Sequence, residues 1–260
     1  MPKLRDLKRK KYPNILLYGP LGSGKTVFAL TLGERAQVWD FDDGLESGMN
    51  VQDKFTDYRQ CVDVVQFLES EPEKKANAFL KCKSHCIDVA NKARKGNWKF
   101  DAIIVDSLTS MVYASLNQVL YNAGRLNKGN PQIQDWGLAF IELKMVLSVL
   151  RSIPVPKIVI GHDMQKQMNR EKDKEDDWRT MIALPGVNLP TEISAVFDEV
   201  WYMRAKQAGG GKRRYEIQTL GSDKLDCRSR KCLPNLTNTD VGAWEILKLL
   251  GHTVEELAMT

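Results

Sequence analysis

The chain has 260 residues, 43% of them hydrophobic and 27% charged, enough to bury a sizeable core and too apolar for a disordered chain. No apolar run reaches membrane-spanning length, and the basic N-terminus is followed by no apolar segment, so neither a spanning helix nor a secretion signal is expected. Five cysteines, an odd number at this length, argue against a disulfide scaffold and for reduced thiols in a cytoplasm, while a net charge of +5 permits a polyanionic partner without requiring one.

Lys3, Arg5, Lys8, Arg9, Lys10 and Lys11 stand against Asp6 alone, so residues 1–12 read as a basic tail. The apolar strand Asn14–Tyr18 leads into Gly19-Pro20-Leu21-Gly22-Ser23-Gly24-Lys25-Thr26, and Val27 continues at helical spacing to about Gly33. A strand at Ala36–Asp40 follows, then a short one at Cys61–Val65 and a charged helix from Glu73 to about Arg94. Cys82 and Cys86 flank His85 in that helix; the helical pattern favours buried thiols over a zinc site. Asp101–Asp106 reads as a fully buried strand, Leu108–Leu120 as a helix, the stretch through Pro131 as a polar loop and Asp135–Leu150 as a helix. Lys157–Ile160 is the next strand, ending at Gly161-His162. From Asp163 to Pro190 charges of both signs and no apolar period predict an irregular loop. Glu199–Arg204 and Arg214–Leu220 then form a hairpin turned through Gly209–Gly211, and Asp240 caps a last helix, Val241–Leu250.

Strands alternating with helices predict an α/β fold: a mainly parallel sheet covered on both faces, with a C-terminal hairpin. The core spans residues 13–232, and 233–260 form a C-terminal helical segment.

The spacing G-x-x-x-x-G-K-[ST] between strand and helix is that of a phosphate-binding loop. Glycines let successive N–H groups converge on one oxyanion, so residues Gly19 to Val27 are the expected cradle. Lys25 reaches the outer phosphates and the Thr26 hydroxyl a magnesium ion. Asn127-Lys-Gly-Asn130 lacks the acid of a guanine-reading motif, which favours ATP. Asp106, at the end of a buried strand, is the expected second Mg²⁺ holder beside Thr26. Residue 107 is Ser, so a water-activating carboxylate must come from another strand; of Asp40, Asp42 and Asp43, Asp42 is chosen, unless this acidic loop simply stays solvated. His162 either senses a γ-phosphate or merely satisfies a strand end.

Taken in order, GPLGSGKT, Val38-Trp-Asp-Phe-Asp-Asp-Gly-Leu45, Ala102-Ile-Ile-Val-Asp-Ser107 and Ile158-Val-Ile-Gly-His162 resemble the RecA-like recombinase core. The resemblance spans about Asn14 to Arg230. It looks closer still to small phage-encoded RecA-fold ATPases, among them single-strand annealing proteins that lack the flanking domains. The resemblance implies that Asp42 takes the place of the catalytic acid and His162 that of the usual Gln sensor, so the catalytic set is Lys25, Asp42 and His162. It also implies that two segments hold single-stranded DNA: Tyr121–Gln134 with Arg125 and Lys128, and Met164–Pro190 with Lys166, Arg170, Trp178 and Arg179. Lys224, Arg228 and Arg230 are the implied cations acting on the nucleotide of a neighbouring subunit in a homo-oligomer, or else lie on a wet strand.

The expectation is a cytoplasmic, ATP- and Mg²⁺-dependent ATPase acting on single-stranded DNA in recombination or annealing, in a bacterial host if the chain is viral. Two alternatives stay open. One is a small-molecule kinase with residues 163–190 as a lid; the other is a nucleotide-gated loader or switch without DNA-stimulated turnover.

Overall fold

The structure is a computed structural model that describes residues 12–33, 35–46, 62–168, 178–186, 188–208, 210, 213–230, 233–237, 243 and 246. Its elements are β1 (Asn14–Tyr18), α1 (Lys25–Ala29), β2 (Ala36–Asp40), β3 (Asp63–Gln66), α2 (Ala78–Arg94), β4 (Ala102–Asp106), α3 (Leu108–Asn122) and α4 (Ile133–Ser152). There follow β5 (Lys157–Gly161), β6 (Asp163–Gln167), β7 (Trp178–Ile182), α5 (Leu189–Ser194), β8 (Glu199–Gln207), β9 (Arg213–Gln218), β10 (Arg228–Ser229) and β11 (Leu236–Thr237).

The main sheet runs β11-β9-β8-β1-β5-β4-β2-β3, with β10 also paired to β8. From β8 to β3 every pairing is parallel, and the β8–β9 hairpin is antiparallel. Each of β1, β2, β4 and β5 is a five-residue strand buried along its whole length, as strands covered on both faces must be. The period of two sends Leu16 and Tyr18, with Ile103 and Val105, into the core beneath α2, α3 and α4. Ile15, Leu17, Ala102 and Ile104 pack on the opposite face with Phe28 and Ala29 of α1. Cys82 and Cys86 are both fully buried in the first of these cores, and burial pushes both thiols up, so they serve as packing.

The predicted mainly parallel, helix-flanked sheet with its C-terminal hairpin is the architecture observed. Differences lie at the edges. The helix expected through Gly33 stops at Ala29 and continues as turns, and α2 begins at Ala78 rather than Glu73. The larger correction concerns Asp163–Pro190: its described part holds an antiparallel hairpin, β6 against β7, and the first two residues of the short helix α5. β6 has no buried residue, so its sequence has no apolar face and no period to read. Residues 1–11 of the expected tail 1–12 and most of the expected C-terminal helix lie outside the described residues. Ala243 and Ile246 are helical and buried, and the Ala243 N–H donates to Thr31 Oγ1 at 2.6 Å.

Candidate nucleotide site

β1 ends at Tyr18 and the chain turns at Gly19, whose φ is +155°; a Cβ there would sit 2.0 Å from the Met203 carbonyl oxygen. Only glycine lets the loop pass this close to β8. Gly24 (φ +85°) caps α1, and a Cβ there would meet the Tyr215 ring at 3.1 Å. The loop is therefore backed by the β8–β9 hairpin, a support the motif alone does not reveal. Lys25 is buried, its Nζ donating to Gly19 O (2.8 Å), Pro20 O (2.9 Å) and Ser23 Oγ (3.4 Å). Burial pulls the Lys25 pKa down, and the charges of Asp106, Asp163 and Asp42 oppose that.

β5 lies between β1 and β4, yet the loop still reaches β4: Thr26 Oγ1 donates to Asp106 Oδ2 at 2.7 Å. Burial raises the Asp106 carboxyl to about 6, with Asp42 and Asp40 adding to the rise and Thr26 and Lys25 opposing it. A hydroxyl and a carboxylate side by side are hard oxygen donors, so the pair fits Mg²⁺. β2 pairs with β4 in register, Asp40 opposite Asp106, which brings the acidic turn to the same edge. Asp40 is buried, and its Oδ1 accepts the N–H groups of Asp42 and Asp43, both at 3.0 Å. This turn lifts Asp42 out of the strand and across to His162, whose Nε2 lies 3.7 Å from Asp42 Oδ2. Burial works against the Asp42 charge, but the polar groups of His162, Ser110 and Ser107 facing it outweigh burial and hold the carboxyl below its usual range. Asp40 Oδ2 and His162 Nδ1 are buried without a hydrogen-bond partner among the described residues. Ser107, expected only as the residue standing in place of a second carboxylate, caps α3 by accepting the Ser110 N–H at 3.3 Å; Ser110 carried no expected role.

The cations expected on DNA fall into two groups. Lys166 and Arg179 are register partners on β6 and β7, and Trp178, 48% exposed, stands beside them opposite Gln167. Arg179 Nη2 is 3.3 Å from Asp226 Oδ1, Lys166 Nζ donates to Gly186 O at 3.1 Å, and Arg170 lies outside the described residues. Arg125 is a correction. Its Nη1 bonds Asp135 Oδ2 at 2.9 Å and its Nη2 bonds Asp135 Oδ1, while Asp135 also accepts the Gln132 N–H at 2.8 Å. Asp135 is only 2% exposed, so this guanidinium anchors the start of α4 rather than facing a DNA strand. Lys128, in the same loop, only reaches back to Gly124 O at 3.0 Å.

The cations expected to act in trans lie away from this chain's own loop, as a role toward a neighbouring subunit's nucleotide requires, and two of them have partners within the chain. Arg228 Nη2 donates to the carbonyls of Ser194 (2.9 Å) and Phe197 (2.7 Å), closing the end of α5. Arg230 pairs with Asp198 at 3.1 Å. β10 pairs with Glu199 and Val200 at the start of β8, whereas the phosphate loop follows the far end of the adjacent, parallel β1. Both arginines thus sit at the opposite edge of the sheet from the loop. Lys224 is exposed.

A glycine loop closing on a buried lysine, backed by a hydroxyl–carboxylate pair at the ends of parallel strands, defines a P-loop nucleotide-binding domain. The family model described as "AAA domain" matches residues 11–231, and the chain belongs to that family of P-loop ATPase domains. Among solved structures, the crystal structure of a KaiC-like protein from the hyperthermophilic archaeon Pyrococcus horikoshii is similar at 12% identity and a TM-score of 0.44, over 79% of this chain and 76% of that one. No curated protein matches the chain. Among the described residues, no helix is long and apolar enough to cross a membrane.

Proposed function

We propose that the chain is a Mg²⁺-dependent ATPase that acts on single-stranded DNA in recombination or strand annealing, working as a homo-oligomer of the phage-encoded type its motifs resemble. The observation that carries the reading is the convergence at one sheet edge of Lys25, the Thr26–Asp106 pair at 2.7 Å and the Asp42–His162 pair at 3.7 Å. In this reading the loop N–H groups and Lys25 bind the phosphates, and Thr26 with Asp106 hold the metal. Bound Mg²⁺ neutralises charge on the phosphate oxygens. Asp42 orients the attacking water, its charge kept available by His162, Ser110 and Ser107. DNA contact falls to the β6–β7 hairpin, where Trp178 offers a face for a base; Lys166 and Arg179, on the other face of the strand pair, meet phosphates by exchanging their bonds to Gly186 O and Asp226.

ATP hydrolysis measured with and without single-stranded DNA tests the proposal. Stimulation by DNA supports it. Turnover or binding indifferent to DNA leaves the nucleotide-gated switch or loader, and phosphate transfer to an added metabolite would establish the kinase instead.

A further inference from the structure

β6 and β7 form a sheet of their own, and a pair of tyrosines joins it to the strands that carry the phosphate loop. Tyr18, the last residue of β1 and directly before Gly19, is fully buried. Its hydroxyl donates to Asp226 O at 2.7 Å and lies 3.5 Å from Thr180 O on β7. Tyr202, beside it on β8, packs edge-on against Tyr18 with ring centroids 5.3 Å apart. The Tyr202 hydroxyl donates to Asp163 Oδ2, at the root of β6, at 3.2 Å. Tyr202 thus holds the first residue of β6, and Tyr18 holds Asp226, which is bonded to the middle of β7. Backbone bonds complete the root: the Asp226 N–H donates to Thr180 O at 3.0 Å and the Ala183 N–H to His162 O at 2.8 Å.

We propose that Asp163, Tyr202 and Tyr18 are the joint through which occupancy of the phosphate loop is passed to the β6–β7 hairpin; this rests on the reading that the loop takes a nucleotide triphosphate. Asp163 stands in the field of Lys25. A triphosphate competes for that ammonium and brings negative charge toward Asp163. The Tyr202 hydroxyl already donates to the Asp163 carboxylate, and as phosphate takes up the charge of Lys25 that bond, to an ionised acceptor and so of the stronger kind, tightens. The root of β6 is then fixed on β8. A loop closed around phosphate also fixes Gly19, and with it the Tyr18 hydroxyl that holds Asp226, whose N–H bonds Thr180 O on β7. Asp163, Tyr202 and Tyr18 act as positioning residues, since their effect on the hairpin runs through the loop.

The test is hydrogen–deuterium exchange on the full chain, with and without Mg²⁺ and a non-hydrolysable ATP analogue, with calorimetry alongside to set a saturating concentration. In the wild type the analogue slows exchange in residues 163–167 and 178–182 by about tenfold, the size expected when one hydrogen bond to a charged group tightens. Asp163→Asn removes the charge and the slowing is lost. Tyr202→Phe keeps the ring on Tyr18 but removes the donor; the repelled carboxylate is then unanchored, and the analogue speeds exchange or leaves it unchanged. Either variant suffices if the other fails to fold. Binding without slowing in the wild type, or undiminished slowing in both variants, overturns the joint while leaving the nucleotide reading intact. A wild type that binds no analogue overturns both.

Discussion

Asp106 has two opposing demands placed on it. As a buried carboxyl it favours the neutral form, with its pKa raised from 3.8 to about 6, whereas holding a metal requires the charge. A raised carboxyl pKa gives stability that is fully present at low pH and lost as pH climbs through about 6. In chelator, Asp106→Asn should therefore be more stable than the wild type at pH 7.5, by on the order of 2 kcal/mol, and the gap should shrink toward pH 5. Denaturant melts at the two pH values check this; a gap that does not depend on pH refutes it. The same variant should lose Mg²⁺-dependent nucleotide binding, and wild-type Mg²⁺ affinity should fall below about pH 6. Lys25 and Asp42 separate binding from chemistry. Lys25→Ala should abolish ATP binding by calorimetry, while Asp42→Asn should keep binding and slow turnover by roughly 10² to 10⁴, the range for a lost general base. Equal losses of binding in both would remove Asp42 from the water-activating role.

The segments after β4 and β5 use their charges differently. In the first, Arg125 is spent on Asp135, whose buried carboxylate would otherwise have no opposite charge beside it at the start of α4. Arg125→Ala should lower the thermal midpoint, whereas Lys128→Ala, at an exposed lysine, should leave it unchanged; calorimetric melts decide, and equal midpoints would contradict the anchoring role. In the second, the β6–β7 hairpin holds Trp178 half out in solvent. Trp178→Ala should weaken single-strand binding about tenfold or more, with little dependence on sequence, as loss of a stacking platform does. Fluorescence-anisotropy titration across salt concentrations checks this, and unaltered affinity would move the DNA contact elsewhere.

At the scale of the molecule, parallel strands all finish at one edge, and that polarity concentrates the site. Tyr18, Asp40, Asp106 and Gly161 end β1, β2, β4 and β5, so the phosphate loop, the acidic turn, the metal pair and His162 meet although up to some 140 residues separate them in sequence. The same polarity puts Arg228 and Arg230 at the far edge, on their own carbonyl and carboxylate partners.

What the sequence by itself determined was whatever depends on local spacing. GPLGSGKT specifies its own backbone, the four buried strands are uninterrupted apolar runs, and an acid closing such a run is placed at a strand end. From this came the α/β sheet and the placing of Thr26, Asp106, Asp42 and His162 at or just past strand ends, whereas strand order brought them into contact. Tertiary structure decided what depends on partners distant in the chain. β6 pairs with β7 through backbone groups and buries no residue, and β7 buries only Met181 and Ile182 at its end, leaving no hydrophobic period to find. Whether Arg125, Arg228 or Arg230 faces solvent or the protein is fixed by Asp135, by the end of α5 and by Asp198, and no property of an arginine's neighbours in sequence reports it. The support of the loop by Met203 and Tyr215 is of the same kind, because contact across a sheet is set by strand order rather than by the residues within any one strand.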